Sequence, residues 1–144
     1  MKNILTAIDF SDMAERVVKA AAQLAQDKNS HLWLIHVAAP DPSFVGYEAG
    51  PDHVRDNRAK TLHREHRTLQ ESAQWLRDAG LEVTPLLVQG PTAETLLDQA
   101  RRHEADVIVV GSHGHSALHD LVAGNVTQAI LRQTTCPVLV VPPR

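Results

Sequence analysis

Short apolar runs alternate with longer segments of helical periodicity along the whole chain, and few folds accommodate this alternation. Apolar residues occupy consecutive positions in most of these runs, as expected for strands that are covered on both faces. The runs are Ile4–Ile8, Leu32–Val37, Leu81–Val88, Asp106–Val110 and Pro137–Val141. Strands that alternate with helices form parallel sheets. The sequence therefore predicts an α/β fold with an open five-stranded parallel sheet and helices on both faces, and the pattern alone favours the strand order 2-1-3-4-5 or a close relative.

Helix signals fill the segments between these strands. Ser11 or Asp12 can cap the first helix. A long polar helix is expected from about Asp52 to Ala79, and its inward stripe is formed by Leu62, Leu69, Ala73 and Leu76. Gly90-Pro91-Thr92 opens a third helix, and the last runs from about Asn125 to Arg132. Pro85 indicates that the third strand lies at a sheet edge, because proline cannot donate to a ladder.

Length and charge exclude several classes of protein. A chain of 144 residues suits one domain, 1–144, with a single core. The net charge of -3 argues against non-specific nucleic-acid binding, which needs a surplus of Lys and Arg. No apolar run approaches the roughly 20 residues needed to span a bilayer, so no membrane association is expected. Asp9 interrupts the N-terminal apolar stretch too early for a signal peptide, and the cytoplasm is the expected location.

A glycine-bearing turn follows the most apolar strand and leads into a helix. It begins Gly111-Ser112-His113-Gly114 and ends Gly124-Asn125-Val126-Thr127. Glycine lets a phosphate approach the backbone closely, and the N–H groups at a helix N-terminus bind anions. Ser112, Asn125 and Thr127 can add side-chain hydrogen bonds. Neither the Walker A pattern nor the dinucleotide fingerprint occurs. The alternative, that these glycines only shape tight turns, stays open at this point.

The spacing of these glycines, G-x2-G-x9-G, resembles the ATP-binding signature of the universal stress protein family. Matching segments extend along the chain: Asn3–Ser11, Ile35-His36-Val37, Gly90–Glu94, Ala105–Gly111 and Cys136–Val141. The resemblance implies a sheet of order 3-2-1-4-5, in which the first and fourth strands meet at the switch point. It also implies a homodimer formed through the C-terminal strand Val138–Val141, and an ATP-binding stress-response or signalling module.

The resemblance further implies a set of positions close to the nucleotide, which is ATP, alone or with Mg²⁺ or Mn²⁺. These positions are Ala7, Ile8, Asp9, Val37, Gly111, Ser112, His113, Gly114, Gly124, Asn125, Val126 and Thr127. Within this set, the glycines hold phosphates and the Val37 backbone contacts adenine. Two residues depart from the family pattern. Asn125 stands where Ser or Thr is usual, and Ala7 stands where Pro is frequent.

Two alternatives to an ATP-binding stress-response or signalling module stay open. A slow Mg²⁺- or Mn²⁺-dependent ATP hydrolase or phosphotransferase is one, although no Lys or Arg lies between Gly111 and Thr127 to stabilise a transferring phosphoryl group. A dimeric interaction module without nucleotide is another. A metal site at His113, His115 and His119 is not expected, and a surface loop or contacts to phosphates is expected instead. If these histidines contact phosphates, their affinity should rise as pH falls from about 8 to 6. His63 and His66, among Arg58, Lys60, Arg64, Glu65 and Arg67, are expected on a solvated helix face. No catalytic and no metal-binding residue is predicted.

Overall fold

The computed structural model describes residues 1–38, 52–112 and 125–143. Strands and helices follow one another in the predicted order, and each strand boundary lies within one residue of its predicted position. The elements are β1 (Asn3–Ala7), α1 (Ala14–Leu24), β2 (His31–Ala38), α2 (Asp52–Asp78), β3 (Glu82–Gln89), α3 (Thr92–Arg102), β4 (Val107–Gly111), α4 (Asn125–Gln133) and β5 (Val138–Val141).

The five strands form one parallel sheet in the order β3-β2-β1-β4-β5. This is the order that the family resemblance implies, and it corrects the order 2-1-3-4-5 that the alternation pattern favours. The alternation of strands and helices predicts which segments are strands and which segments connect them. It does not predict on which side of its predecessor each new strand joins the sheet. Here β1 is central, because it pairs with β2 on one side and β4 on the other. The strand order therefore reverses between β1 and β4.

Two apolar clusters cover the two faces of the sheet. Even-numbered residues of β1 and β2, such as Ile4 and Leu34, pack with α1 and α2. Odd-numbered ones, such as Leu5 and Ile35, pack with α3 and α4. Burial on both faces explains why the strands are continuously apolar. None of the helices in the described parts of the chain is both long and apolar enough to cross a bilayer.

The two edges of the sheet differ in chemistry. Pro85 lies on β3, which is an edge strand, so the interpretation of this proline is confirmed. The opposite edge is β5, whose Leu139 side chain is 38% exposed. A strand at an edge leaves backbone groups without a ladder partner inside its own sheet. The β5 edge is therefore open to another strand within the described structure.

Candidate functional site

The carboxyl ends of β1 and β4 lie side by side at the point where the strand order reverses. Register pairs Thr6 of β1 with Val109 of β4, and the two strands end at Ala7 and Gly111. Open α/β sheets bind ligands in the crevice outside such strand ends. The structure thus brings two of the predicted segments together, the end of β1 and the start of the glycine turn.

Hydrogen bonds fix both ends of the glycine turn. The Thr127 hydroxyl donates to the Gly111 carbonyl over 3.0 Å, and the Ser112 amide donates to the Val141 carbonyl over 2.9 Å. Thr127 is buried, with 4% of its surface exposed. Because its hydroxyl proton is donated to Gly111, any phosphate contact by Thr127 falls to its backbone N–H. The start of α4 is therefore tied to the end of β4.

Two other predicted residues, Asn125 and Val126, form the first turn of α4, and both are exposed. The first N–H groups of an α-helix have no intrahelical acceptor, and the helix dipole favours an anion beside them. This end of α4 can therefore bind a negatively charged group. His113, Gly114 and Gly124 lie outside the described residues, as do His115 and His119.

Asp9 lies in a sharp corner where the chain leaves β1 for α1. Its Oδ1 accepts the Ser11 amide over 3.0 Å, and the Ser11 Oγ accepts the Met13 amide over 3.3 Å. Phe10 between them has a left-handed backbone with φ of 60°. Neither Ser11 nor Asp12 is the N-cap of α1, contrary to the prediction: the helix begins at Ala14, and its N-cap, Met13, has no side-chain cap bond. The corner orients the Asp9 carboxylate.

Val37 directs its backbone toward the side on which β1 has ended. Successive strand residues direct their N–H and C=O groups to opposite neighbours. Ile35 faces β1, since its carbonyl accepts the Ile8 amide over 2.9 Å, and Ala38 faces β3, since its carbonyl accepts the Gly90 amide over 3.2 Å. Val37 shares the parity of Ile35. Its N–H and C=O therefore point into the gap beyond β1.

One residue of this region, His36, is not among the predicted site residues. Its Nδ1 lies 2.8 Å from the Ile8 carbonyl oxygen, and its Nε2 lies 3.4 Å from Oε2 of Glu65 on α2. The ring also stacks against Phe10, with centroids 4.4 Å apart. His36 is only 7% exposed. The sequence feature that could have identified His36 is the presence of a histidine within an apolar strand, next to Val37.

Glu65 departs from the solvated face predicted for the middle of α2. Other members of that face are exposed, as expected: Lys60, His63, Arg64, His66 and Arg67. The Glu65 side chain is 25% exposed and faces β2. Its position lies between Leu62 and Leu69 at helical spacing, so Glu65 is a polar residue within the inward-facing apolar stripe of α2. Within residues 1–38, 52–112 and 125–143, no three His, Cys, Asp or Glu side chains are grouped to bind a metal.

The model of the universal stress protein family matches residues 1–142. The chain belongs to the universal stress protein family. Universal stress protein YxiE of Bacillus subtilis is 30% identical over 143 residues, which cover 96% of this chain and 97% of the relative. A universal stress protein of Thermus aquaticus is 33% identical over 142 residues and covers 97% of this chain and 98% of its own.

Solved structures of the family share the fold. MJ0577 of Methanocaldococcus jannaschii superposes with a TM-score of 0.86 at 26% identity, covering 99% of this chain and 96% of its own. A universal stress protein in complex with cAMP has a TM-score of 0.72 at 22% identity, covering 98% and 96%. One from Archaeoglobus fulgidus in complex with dAMP has a TM-score of 0.66 at 21% identity, covering 98% and 97%. These likenesses establish the five-stranded Rossmann-like architecture.

Proposed function

We propose that this universal stress protein is an ATP-binding stress-response or signalling module of the cytoplasm, which holds the nucleotide at the carboxyl ends of β1 and β4. One observation carries the proposal. The bond between Thr127 and Gly111 joins the N-terminal turn of α4 to the end of β4, beside the end of β1. An anion-binding helix terminus is thereby fixed at the switch point of the sheet, where ligands of such folds bind.

The Val37 backbone fits the base of such a nucleotide. Adenine presents a ring nitrogen that accepts a hydrogen bond beside an amino group that donates one. A single residue whose N–H and C=O point to the same side can satisfy both. Val37 has this orientation two residues beyond Ile35, the register partner of Ala7 at the end of β1. Adenine is also the base of both ligands found in the related complexes with cAMP and dAMP.

The phosphates would lie along the glycine turn and the first turn of α4. The spacing of Gly111, Gly114 and Gly124 favours ATP over a monophosphate, and Ser112, Asn125 and Val126 supply further donors. No Lys or Arg occurs between Gly111 and Thr127. Mg²⁺ or Mn²⁺, when bound, would supply the positive charge that this segment lacks. We therefore propose that the protein holds ATP rather than turning it over rapidly.

A second copy of the chain is the proposed partner of the β5 edge. β5 pairs with β4 on one side only, and Leu139 projects from it exposed. An apolar edge strand of this kind invites aggregation unless it is covered. A homodimer formed through Val138–Val141 would cover this edge. We propose that each protomer is a single domain, 1–144.

Native mass spectrometry of the purified protein, followed by calorimetric titration with ATP, AMP and cAMP, tests the nucleotide. We expect an adenine nucleotide to be retained and ATP to bind most tightly of the three. Replacing Gly114 by Leu should abolish ATP binding, because a side chain would occupy the space of a phosphate. Unchanged affinity in Gly114→Leu would remove the glycine turn from the site. Absence of binding by all three nucleotides would favour the interaction module without nucleotide.

A further inference from the structure

The carbonyl of Ile8 receives its hydrogen bond from a side chain. If β1 continued along β2 in a parallel ladder, Ile8 would donate to the Ile35 carbonyl and accept from the Val37 amide. The first of these bonds is present, at 2.9 Å. At the second position, His36 Nδ1 lies 2.8 Å from the Ile8 oxygen. The imidazole therefore takes the part of the ladder donor at the point where β1 leaves the sheet.

This substitution has a consequence for Val37. The Ile8 carbonyl already accepts a hydrogen bond from the His36 imidazole. It therefore does not require the Val37 N–H as a donor, and that N–H does not pair with β1. The edge formed by the N–H and C=O of Val37 then stays directed into the gap at the switch point. Without the His36 ring, the Ile8 carbonyl would be available to the Val37 amide, the donor that continues a parallel ladder, and pairing would extend over that edge.

The geometry also assigns the protons of the ring. A carbonyl oxygen only accepts, so Nδ1 carries a proton. In a neutral ring, Nε2 would then present a lone pair to the Glu65 Oε2, which lies 3.4 Å away. A proton on either of these two atoms can join them, and in both cases the Nδ1–H of His36 is the donor to the Ile8 carbonyl.

Packing holds the ring in this one orientation. His36 is 7% exposed, and Phe10 stacks against it at a centroid distance of 4.4 Å with 34° between the planes. Phe10 itself is kept in a left-handed conformation beside Asp9. The ring thus contacts the corner after β1, the strand β2 and, through Glu65, the helix α2.

We propose that His36 is a positioning residue of the nucleotide site: held between Phe10 and Glu65, its Nδ1–H binds the Ile8 carbonyl in place of the Val37 amide and leaves the Val37 backbone directed toward the base. This inference rests on the proposed function, because the Val37 edge matters only if adenine binds there. His36 itself touches no phosphate and acts through Ile8 and Val37.

Two substitutions of His36 separate the bond from mere bulk. In His36→Asn, the amide nitrogen stands where Nδ1 stood and can still donate to Ile8, so we expect ATP affinity within about threefold of wild type. In His36→Leu the donor is lost, and we expect ATP to bind about tenfold more weakly or worse. His31→Leu, at the amino-terminal end of the same strand, is the matched control and should leave the affinity unchanged. Equal affinities of wild type and His36→Leu would overturn the proposal.

Two NMR measurements test the geometry without any nucleotide. The nitrogen-15 spectrum of the His36 ring should show a proton on Nδ1 both in wild type and in Glu65→Gln, whose amide can donate to Nε2. Hydrogen exchange at the Val37 amide should be faster in wild type than in His36→Leu, where it pairs with Ile8. A wild-type ring protonated on Nε2 alone, or equal Val37 protection in both proteins, would overturn the proposal.

Failure of the proposed function and failure of the His36 proposal would give different experimental results. If wild type binds no adenine nucleotide while both NMR results appear as expected, ATP binding is wrong and the role of His36 at the Ile8 carbonyl stands. If wild type binds ATP and the NMR results are absent, the function stands and His36 is only a core residue.

Discussion

The Thr127 hydroxyl donates to the Gly111 carbonyl across 3.0 Å, joining two residues that lie 16 positions apart in the sequence. Between them runs the glycine turn. The bond sets where the turn begins and ends, whatever path it follows, and places the N-terminal turn of α4 against the end of β4. A buried hydroxyl therefore positions a group of backbone donors, and it is a first target for mutation.

Thr127→Val should destabilise the fold by about 1–3 kcal/mol, because it removes the hydroxyl that donates to the Gly111 carbonyl in a partly buried hydrogen bond. We also expect weaker ATP binding, since α4 is no longer held to β4. Thr127→Ser retains the hydroxyl and should recover most of both losses. Urea unfolding and calorimetric titration measure the two effects.

A matched control exists on α2, where the Thr68 hydroxyl donates to the Arg64 carbonyl over the same 3.0 Å but at an exposed position. Thr68→Val should change stability by no more than about 0.5 kcal/mol. Equal costs for Thr127→Val and Thr68→Val would show that burial of the Gly111 bond contributes nothing.

Asp106 joins β1 to β4 at the opposite end of the sheet. Its Oδ2 accepts the amides of Asn3 and Lys2, each over 2.8 Å, and these bonds hold the pKa of the Asp106 carboxyl below its ordinary value of 3.8. A lowered pKa in the folded state adds stability above the pKa of the unfolded chain, and the gain is lost as pH falls through the folded value. Asp106→Asn should therefore be less stable at pH 7, by about 1 kcal/mol or less because the carboxylate is exposed.

The difference between Asp106→Asn and wild type should shrink as the solution is acidified below pH 3.8, the ordinary value for this group. Urea unfolding at several pH values measures it. Glu104→Gln is the control. It removes a nearby exposed carboxylate that, among the described residues, accepts no amide hydrogen bond from β1. A stability gap that stays constant down to the lowest pH would contradict the assignment.

His103 stacks on Trp33 with ring centroids 3.8 Å apart. Burial, helped by the positive charge of Arg102 and by His31, lowers the pKa of His103 from 6.5. The unfolded chain then binds a proton more readily than the folded one, so stability should be fully present above pH 6.5 and decline as pH falls through the interval below it.

His103→Gln should remove this part of the decline. It should also cost about 0.5–1.5 kcal/mol at every pH, because the stack with Trp33 is lost. Thermal unfolding between pH 8 and pH 5 separates the constant cost from the slope, with the exposed His63→Gln as control. An unchanged slope in His103→Gln would assign the acid sensitivity to another group.

The β5 edge provides a test of assembly. Leu139→Lys places a charge on the exposed edge and should convert the proposed homodimer to a monomer, as measured by sedimentation at micromolar concentration. Trp75→Lys alters another exposed apolar residue, 52% exposed on α2, and should leave the mass unchanged. A monomeric wild type would end the proposal.

ATP turnover distinguishes a binding module from an enzyme. In steady state with Mg²⁺ or Mn²⁺, we expect fewer than about one turnover per second, because no Lys or Arg lies in the glycine turn to stabilise the transferring phosphoryl group. Faster turnover would favour the hydrolase.

Much of the architecture could be predicted from local sequence patterns. Apolar runs such as Val107–Val110 predict buried strands because a parallel sheet covers both faces, and each predicted strand is present. The spacing of Gly111, Gly114 and Gly124 identified the family, which the match over residues 1–142 confirms. These conclusions need only residues that are close in sequence, because periodicity and turn chemistry are local properties.

The tertiary structure decided what depends on contacts between distant segments. The alternation of strands could not place β1 between β2 and β4, since the direction of each crossover is settled by packing. Thr127 is predicted as a phosphate donor, yet folding brings its hydroxyl to Gly111. Glu65 belongs to a polar helix by sequence, and the structure places its Oε2 3.4 Å from Nε2 of His36. A side chain's type sets which bonds it can form, and only the fold determines which partner is within reach.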